Sequence, residues 1–177
     1  MTNALLELYQ HNTWATLQLI EHCQGLANET LELTTPGTFG TIRETLLHLV
    51  GAEEGYFSIV TRKSPFEPIP DYPVRLDELG DVPVSLSELA ERLRILGPRW
   101  ERLAEDADAA RREVTTQDGW RMPAAVPMAQ AIHHGENHRS HVLSILGAHG
   151  LEVPDLQVWE YAFTTGQMTE LQPASSA

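Results

Sequence analysis

An all-α fold, a four-helix bundle followed by a short C-terminal helix, is what this chain predicts, and three observations carry it. Four long segments repeat apolar residues at three- and four-residue steps. Hardly any stretch alternates as a half-buried strand does. Cap and stop signals stand where the periodic segments begin and end.

The first helix is read over residues 3–24, "NALLELYQHNTWATLQLIEHCQ", with Leu5, Leu6, Tyr9, Thr13, Leu17 and Ile20 on one stripe and Gly25 as its stop. A polar connection, "ANETLELTTPGTFG", follows. The second long helix starts near Gly40 or Thr41, because Thr41 with Glu44 three residues on is a capping box. Its stripe is Ile42, Thr45, Leu46, Leu49, Ala52, Tyr56 and Ile59. Residues 63–84 then hold five of the eleven prolines, a density that neither helix nor central strand tolerates. An extended crossover is expected there, long enough for the next helix to run parallel to the second.

Ser85 with Glu88 repeats the capping signature ahead of a third helix reaching Ala110, with Leu86, Leu89, Leu93, Leu96, Trp100 and Leu103 as its stripe and a kink expected at Pro98. "RREVTTQDGWRMP" has the composition of a short hairpin or irregular loop. The fourth helix is expected to begin near Pro127 and to stop at Gly147 or Gly150. A short terminal helix capped by Asp155 and a frayed tail complete the chain. The domain is set at residues 1–166 and the tail at 167–177.

At 177 residues the chain forms one domain and needs neither disulfide nor metal merely to fold. A formal charge of −13 opposes nucleic acid or an anionic membrane as partner. Cys23 is the single cysteine and has no sequence sign of activation. No signal peptide or membrane span is read, and a cytoplasmic location is expected. No Ser-His-Asp set, phosphate loop or dinucleotide fingerprint is apparent.

Of the 8 histidines, four fall in "AIHHGENHRSHV", residues 131–142. At about 100° per residue, His134, His138 (about +40°) and His141 (about −20°) share one helix face, whereas His133 lies about 100° away. His134 and His138 have the i, i+4 spacing of helical metal sites. The same spacing also arises from unrelated core and surface histidines. The zinc-protease arrangement is excluded, because Glu136 points about 160° from His134 and cannot serve the same ion. His48, set among Leu46, Leu47, Leu49 and Val50, is the candidate third ligand; the alternative is a core histidine bonded to a carbonyl. Gly51 and Ala52 one turn later leave room beside it. Arg139 reads as half of a structural ion pair or a carboxylate binder. Trp14 and Trp159 read as core or interface aromatics, Tyr56 as core with the pocket as its alternative, and Glu53 and Glu54 as facing solvent or a dimer seam.

Two motifs, "TLLHLVGAEEGYF" and "HGENHR", together with "HNTWAT" and "PDLQVWEYA", resemble the DinB-like family of the DinB/YfiT-like superfamily over residues 1 to about 166. The resemblance implies an up-down-down-up bundle, a divalent metal, nickel or zinc, held by His48, His134 and His138, and a homodimer. It also implies chemistry on small molecules with low-molecular-weight thiols, as in mycothiol-dependent maleylpyruvate isomerase and bacillithiol transferases. Metal-dependent hydrolysis and a non-catalytic, stress-related metal- or ligand-binding bundle stand as alternatives. Where the family often has Gly-Gln after the arginine, this chain has Ser140-His141. His141 is therefore an extra imidazole, read as fourth ligand, partner of a ligand, catalytic base, or solvent-facing residue.

Overall fold

The computed structural model describes residues 3–61, 75–76, 79–80 and 82–170. Six helices and two short strands make up these residues: α1 (Ala4–Gln24), α2 (Asn28–Leu31), α3 (Ile42–Thr61), α4 (Leu86–Glu105), β1 (Glu113–Thr115), β2 (Arg121–Pro123), α5 (Ala125–Ala148) and α6 (Val158–Thr164). The protein is thus mostly helical. Most of the proline-rich segment and the end of the tail lie outside the described residues.

Three of the four long helices start at side-chain caps, and α5 starts without one. The Asn3 side chain accepts from Leu5 N–H and Leu6 N–H at α1, and Ser85 Oγ accepts from Glu88 N–H at α4. At α3 the capping box is reciprocal: Glu44 N–H donates to Thr41 Oγ1 at 3.1 Å and Thr41 N–H to Glu44 Oε2 at 2.9 Å. Helix α4 is continuous through Pro98 but ends at Glu105, and Ala109–Arg111 form a separate 3-10 turn. Two further boundary expectations are corrected. Helix α5 begins at Ala125, so Pro127 is its third residue, still within the first turn where a missing N–H is harmless. Asp155 does not cap α6; its Oδ1 accepts from Gln157 N–H, and Gln157, the cap residue, makes no side-chain capping bond. The segment read as hairpin or loop is a hairpin, β1 pairing antiparallel with β2 in the register Val114↔Met122. The one-turn helix α2 lies in what reads as a polar connection.

Helix α1 packs on α4 and α5, and α3 on α5 and α4. Asn3 Nδ2 donates to Ala104 O, and Tyr9 OH to Met128 O. One core cluster gathers around Leu19, Leu46, Leu93 and Ile145. A second gathers around Tyr9 and Trp100, stacked at 4.9 Å. The α4 stripe is buried nearly as read. In α1 the buried face also carries His11, Asn12 and Thr16, whose polarity hides it from a hydrophobic pattern. Trp14 packs against the first core cluster and against Tyr161, whereas Trp159 is 72% exposed and is not a core residue.

Candidate metal centre

Helix α3 supplies His48 and helix α5 supplies His134 and His138. The two α5 residues are one turn apart, so their rings lie one above the other on the face toward α3. One nitrogen from each of the three rings lies within 4.8 Å of the others. His48 Nε2 and His134 Nε2 are 3.1 Å apart. Ring centroids are separated by 4.9 Å (His48–His134), 4.7 Å (His48–His138) and 4.2 Å (His134–His138).

Burial sets the protonation of this group. It pushes His48 below the usual imidazole range, and it pushes His134 and His138 down to about 4, helped by their neighbouring imidazoles. At neutral pH all three are uncharged, with lone pairs free to donate. Two ring nitrogens 3.1 Å apart can share one proton at most, and His138 Nδ1 is buried without a hydrogen-bond partner among the described residues. Burying such groups without partners is unfavourable. A shared cation fits this donor set: neutral imidazoles suit zinc, nickel, copper or iron, and three protein ligands leave a coordination position open.

Around the centre, Phe39 stacks on His48 at 4.3 Å with its plane tilted by 16°, and meets His138 edge-on at 5.1 Å. Tyr56 lies edge-on to His134 at 5.6 Å. Beside His48 a cleft of about 550 Å³ runs along α3, lined by Leu47, Gly51, Ala52, Gly55, Tyr56 and Ile59. The small residues thus leave room where expected, and Tyr56 borders the cleft. His141 stands next to His138, ring centroids 5.2 Å apart, and lies outside the group of three. His133 points away, paired with Asn137. Cys23 is buried, and burial pushes its thiol up to about 12, which fits an inert core residue.

The expectation for Glu53 and Glu54 is overturned: they are 2% and 1% exposed. Each has polar partners in the interior. Glu54 accepts from Arg92 Nη1 at 2.9 Å and from Leu76 N–H at 3.0 Å. Glu53 accepts from Asn12 Nδ2 at 3.2 Å, and burial pushes its carboxyl up to about 7 against the pull of Arg139 and Asn12. Arg139 is buried too. Its Nη1 donates to Asn12 O, Asn12 Oδ1 and Thr16 Oγ1, and its Nη2 to Glu136 Oε2. Arg139 therefore serves structure, with its bonded carboxylate on its own helix and Glu53 acting through Asn12. A Cβ on Gly135 would stand 2.5 Å from Asn12 Oδ1, so the glycine between His134 and Glu136 makes space for that contact. Asn12, Thr16 and Gly135 are missed by sequence reasoning; the trace they leave is a polar pair on an otherwise apolar face.

The arrangement defines a mostly helical protein with a three-histidine group between two of its long helices. The chain belongs to the DinB family, whose model matches residues 1–172. A solved structure of a DinB-like protein from Bacillus cereus ATCC 10987 is similar at a TM-score of 0.60 and 22% identity, covering 85% of this chain and 94% of that one. That likeness bears on the fold alone. No curated protein matches the chain. No helix among the described residues is long and apolar enough to cross a membrane.

Proposed function

We propose that this protein is a metal-dependent enzyme in which His48, His134 and His138 hold one divalent ion, zinc or nickel, and act on a small molecule together with a low-molecular-weight thiol, by S-transfer or isomerisation. The observation that carries the reading is the convergence of three neutral imidazole nitrogens within 4.8 Å beside an open cleft. When bound, the ion supplies Lewis acidity that favours thiolate over thiol near neutral pH.

The chain's own residues have separate tasks. The three imidazoles orient the ion. Phe39, stacked on His48, restricts that ring's rotation and excludes water from one side. The cleft receives the organic part of the reactants. His141 is the candidate proton acceptor: its Nδ1 has no hydrogen-bond partner among the described residues, and its ring adjoins His138.

The proposal extends to a bundle of up-down-down-up course. Three sets of contacts support that course. Asn3 at the start of α1 meets Ala104 at the end of α4. Tyr9 and Asn12 meet Met128 and Arg139 in ascending order along α1 and α5. Glu54 and Phe57 meet Arg92 and Trp100 in ascending order along α3 and α4. A cytoplasmic homodimer that binds neither nucleic acid nor membrane completes the reading, and the charge of −13 supports its last part.

Metal analysis of protein purified without a histidine tag tests the centre. Stoichiometric metal in the natural chain and its loss in His48→Ala are expected; absence of metal, or uptake of added zinc or nickel unchanged by His48→Ala, would refute it. Thiol cofactors offered with electrophiles, beside ester and amide substrates, then test the reaction: turnover of esters or amides without thiol would replace transfer by hydrolysis.

A further inference from the structure

Asn12, midway along α1, has a side chain bonded to both of the helices that carry the three histidines, and it is fully buried. Its Nδ2 donates to Glu53 Oε2 on α3 at 3.2 Å, and its Oδ1 accepts from Arg139 Nη1 on α5 at 2.7 Å. An amide carries a donor and an acceptor on one planar group, so it meets a carboxylate on one side and a guanidinium on the other. The two ties differ in what backs them up. Arg139 Nη1 also reaches Asn12 O at 3.3 Å and Thr16 Oγ1 at 2.9 Å, so α1 and α5 stay joined without the amide. Glu53 has no such reserve: its other oxygen, Oε1, is buried without a partner among the described residues. The bond between α1 and Glu53 therefore rests on the amide. Two residues of α5 crowd that amide, Gly135 and Arg139, and each directly follows a histidine of the centre. A Cβ on Gly135 would stand 2.5 Å from Asn12 Oδ1 and 3.0 Å from Arg139 Nη1.

We infer that Asn12 is a positioning residue of the metal centre: its amide holds α3 at the height along the bundle at which His48 meets His134 and His138. This inference rests on the metal reading above. The lever arms are short. Gly135 and Arg139 are each one residue past a histidine of the centre, and Glu53 is five residues past His48, about 7.5 Å along α3. The hydrogen-bonded turns between them carry an axial shift of Glu53 to His48. Metal–nitrogen bonds of about 2.0–2.1 Å demand ligands placed to within about 0.5 Å, whereas a slip of α3 by one residue is about 1.5 Å. Apolar packing between helices is non-directional and resists such sliding weakly. A hydrogen bond to a fixed carboxylate oxygen resists it more, because it weakens steeply with distance and angle. The neighbouring tie of α3, Glu54 with Arg92, leads to α4, which carries no histidine of the centre.

The test uses the full-length protein loaded with cobalt(II). It reads cobalt affinity by competition with a chelator, and ligand geometry by the absorption band of the bound ion. Asn12→Ala removes the amide; affinity should fall about tenfold or more, as it does where groups that orient metal ligands are removed, and the band should change. Asn12→Asp combined with Glu53→Gln reverses donor and acceptor: the new carboxylate accepts from Arg139 and from the new amide, so the tie is remade. That double variant should recover the natural band and most of the lost affinity. Leu93→Ala, a truncation in the core face of α4, should lower stability and leave both readouts unchanged. Gly135→Ala drives a methyl between Asn12 and Arg139 and should weaken cobalt binding severalfold. Natural affinity and band in Asn12→Ala overturn the inference, and Gly135→Ala decides it in the same way if Asn12→Ala does not fold. A double variant as weak as Asn12→Ala, or an equal loss in Leu93→Ala, overturns it too. Failure of the natural chain to take up cobalt is a different result: it refutes the metal reading, on which this one stands.

Discussion

Two polar clusters lie between α3 and the helices packed on it, and they are built in opposite ways. In the layer of Asn12, Thr16, Glu53 and Arg139, donors meet acceptors: the guanidinium donates to carbonyl, amide, hydroxyl and carboxylate oxygens, and Asn12 passes a bond on to Glu53. In the group of His48, His134 and His138, one nitrogen confronts another, and a buried ring nitrogen has no protein partner among the described residues. The first cluster pairs donors with acceptors at all of its atoms but Glu53 Oε1 and Arg139 Nε, and so ties α1, α3 and α5 together. In the second, lone pairs converge on one another without donors of their own, and such a group is where an exogenous ion gains most.

The contrast can be broken most forcefully from the structural side. The Arg92–Glu54 pair is built like the first cluster, and Arg92→Ala leaves a carboxylate that is 1% exposed without its bonded guanidinium, with the Leu76 N–H still in place. A loss of about 3–5 kcal/mol of stability is expected, read by urea denaturation. A loss near that of a surface pair would show that water reaches Glu54. From the other side, His48→Ala should weaken zinc or nickel binding by about a hundredfold or more, since even residues behind the ligands commonly matter by 10–100-fold. Competition with a chelator measures it. Stripped of metal, His48→Ala should melt close to the metal-free natural chain, whereas the metal-loaded natural chain should melt above both.

Acidity sharpens the comparison, because the clusters carry opposite signs. His134 and His138 have folded values near 4 against about 6.5 unfolded. Between these limits the unfolded chain binds more protons, so their contribution is whole above pH 6.5 and is lost as pH falls toward 4. Glu53 has a folded value near 7 against 4.5 unfolded, so there the folded chain binds more protons and stability falls as pH rises from 4.5 to 7. In metal-free protein the two slopes oppose each other. Glu53→Gln should leave the rising histidine slope exposed, and His134→Ala with His138→Ala the falling one, in melting temperature against pH. Identical profiles for both variants would contradict the assignment. The smallest effect is expected at Phe39. Phe39→Ala removes a stacked contact with His48 worth about 0.5–1.5 kcal/mol, so metal affinity should drop about two- to tenfold.

Much of this was legible in the residues themselves. The reciprocal box at Thr41 and Glu44 is a local hydrogen-bond pattern, and its position in the sequence fixes its geometry. The α4 stripe is legible because water excludes apolar side chains at a fixed period. Two of the three imidazoles are legible for a similar reason: residues four apart on a helix are adjacent whatever else the chain does. His48 could be named as third candidate from its setting and from family resemblance, yet its distance from α5 was not in the pattern. The acidic pair at 53 and 54 was misread because charge ordinarily signals solvent. Only partners distant in sequence, Asn12 41 residues away and Arg92 38 away, let those carboxylates stay inside.

By itself, then, the sequence determined what depends on neighbours within a turn or two: helices, caps, the breaks between them, and the shared face of His134 and His138. Tertiary structure alone decided what depends on separate helices meeting. It brought His48 Nε2 to within 3.1 Å of His134 Nε2, buried Glu53 and Arg139 near one another, and opened the cleft above Gly51 and Gly55. The physical reason is that periodicity acts along the chain, whereas the energy of a buried charge or a converging lone pair is set by whatever the fold places across from it.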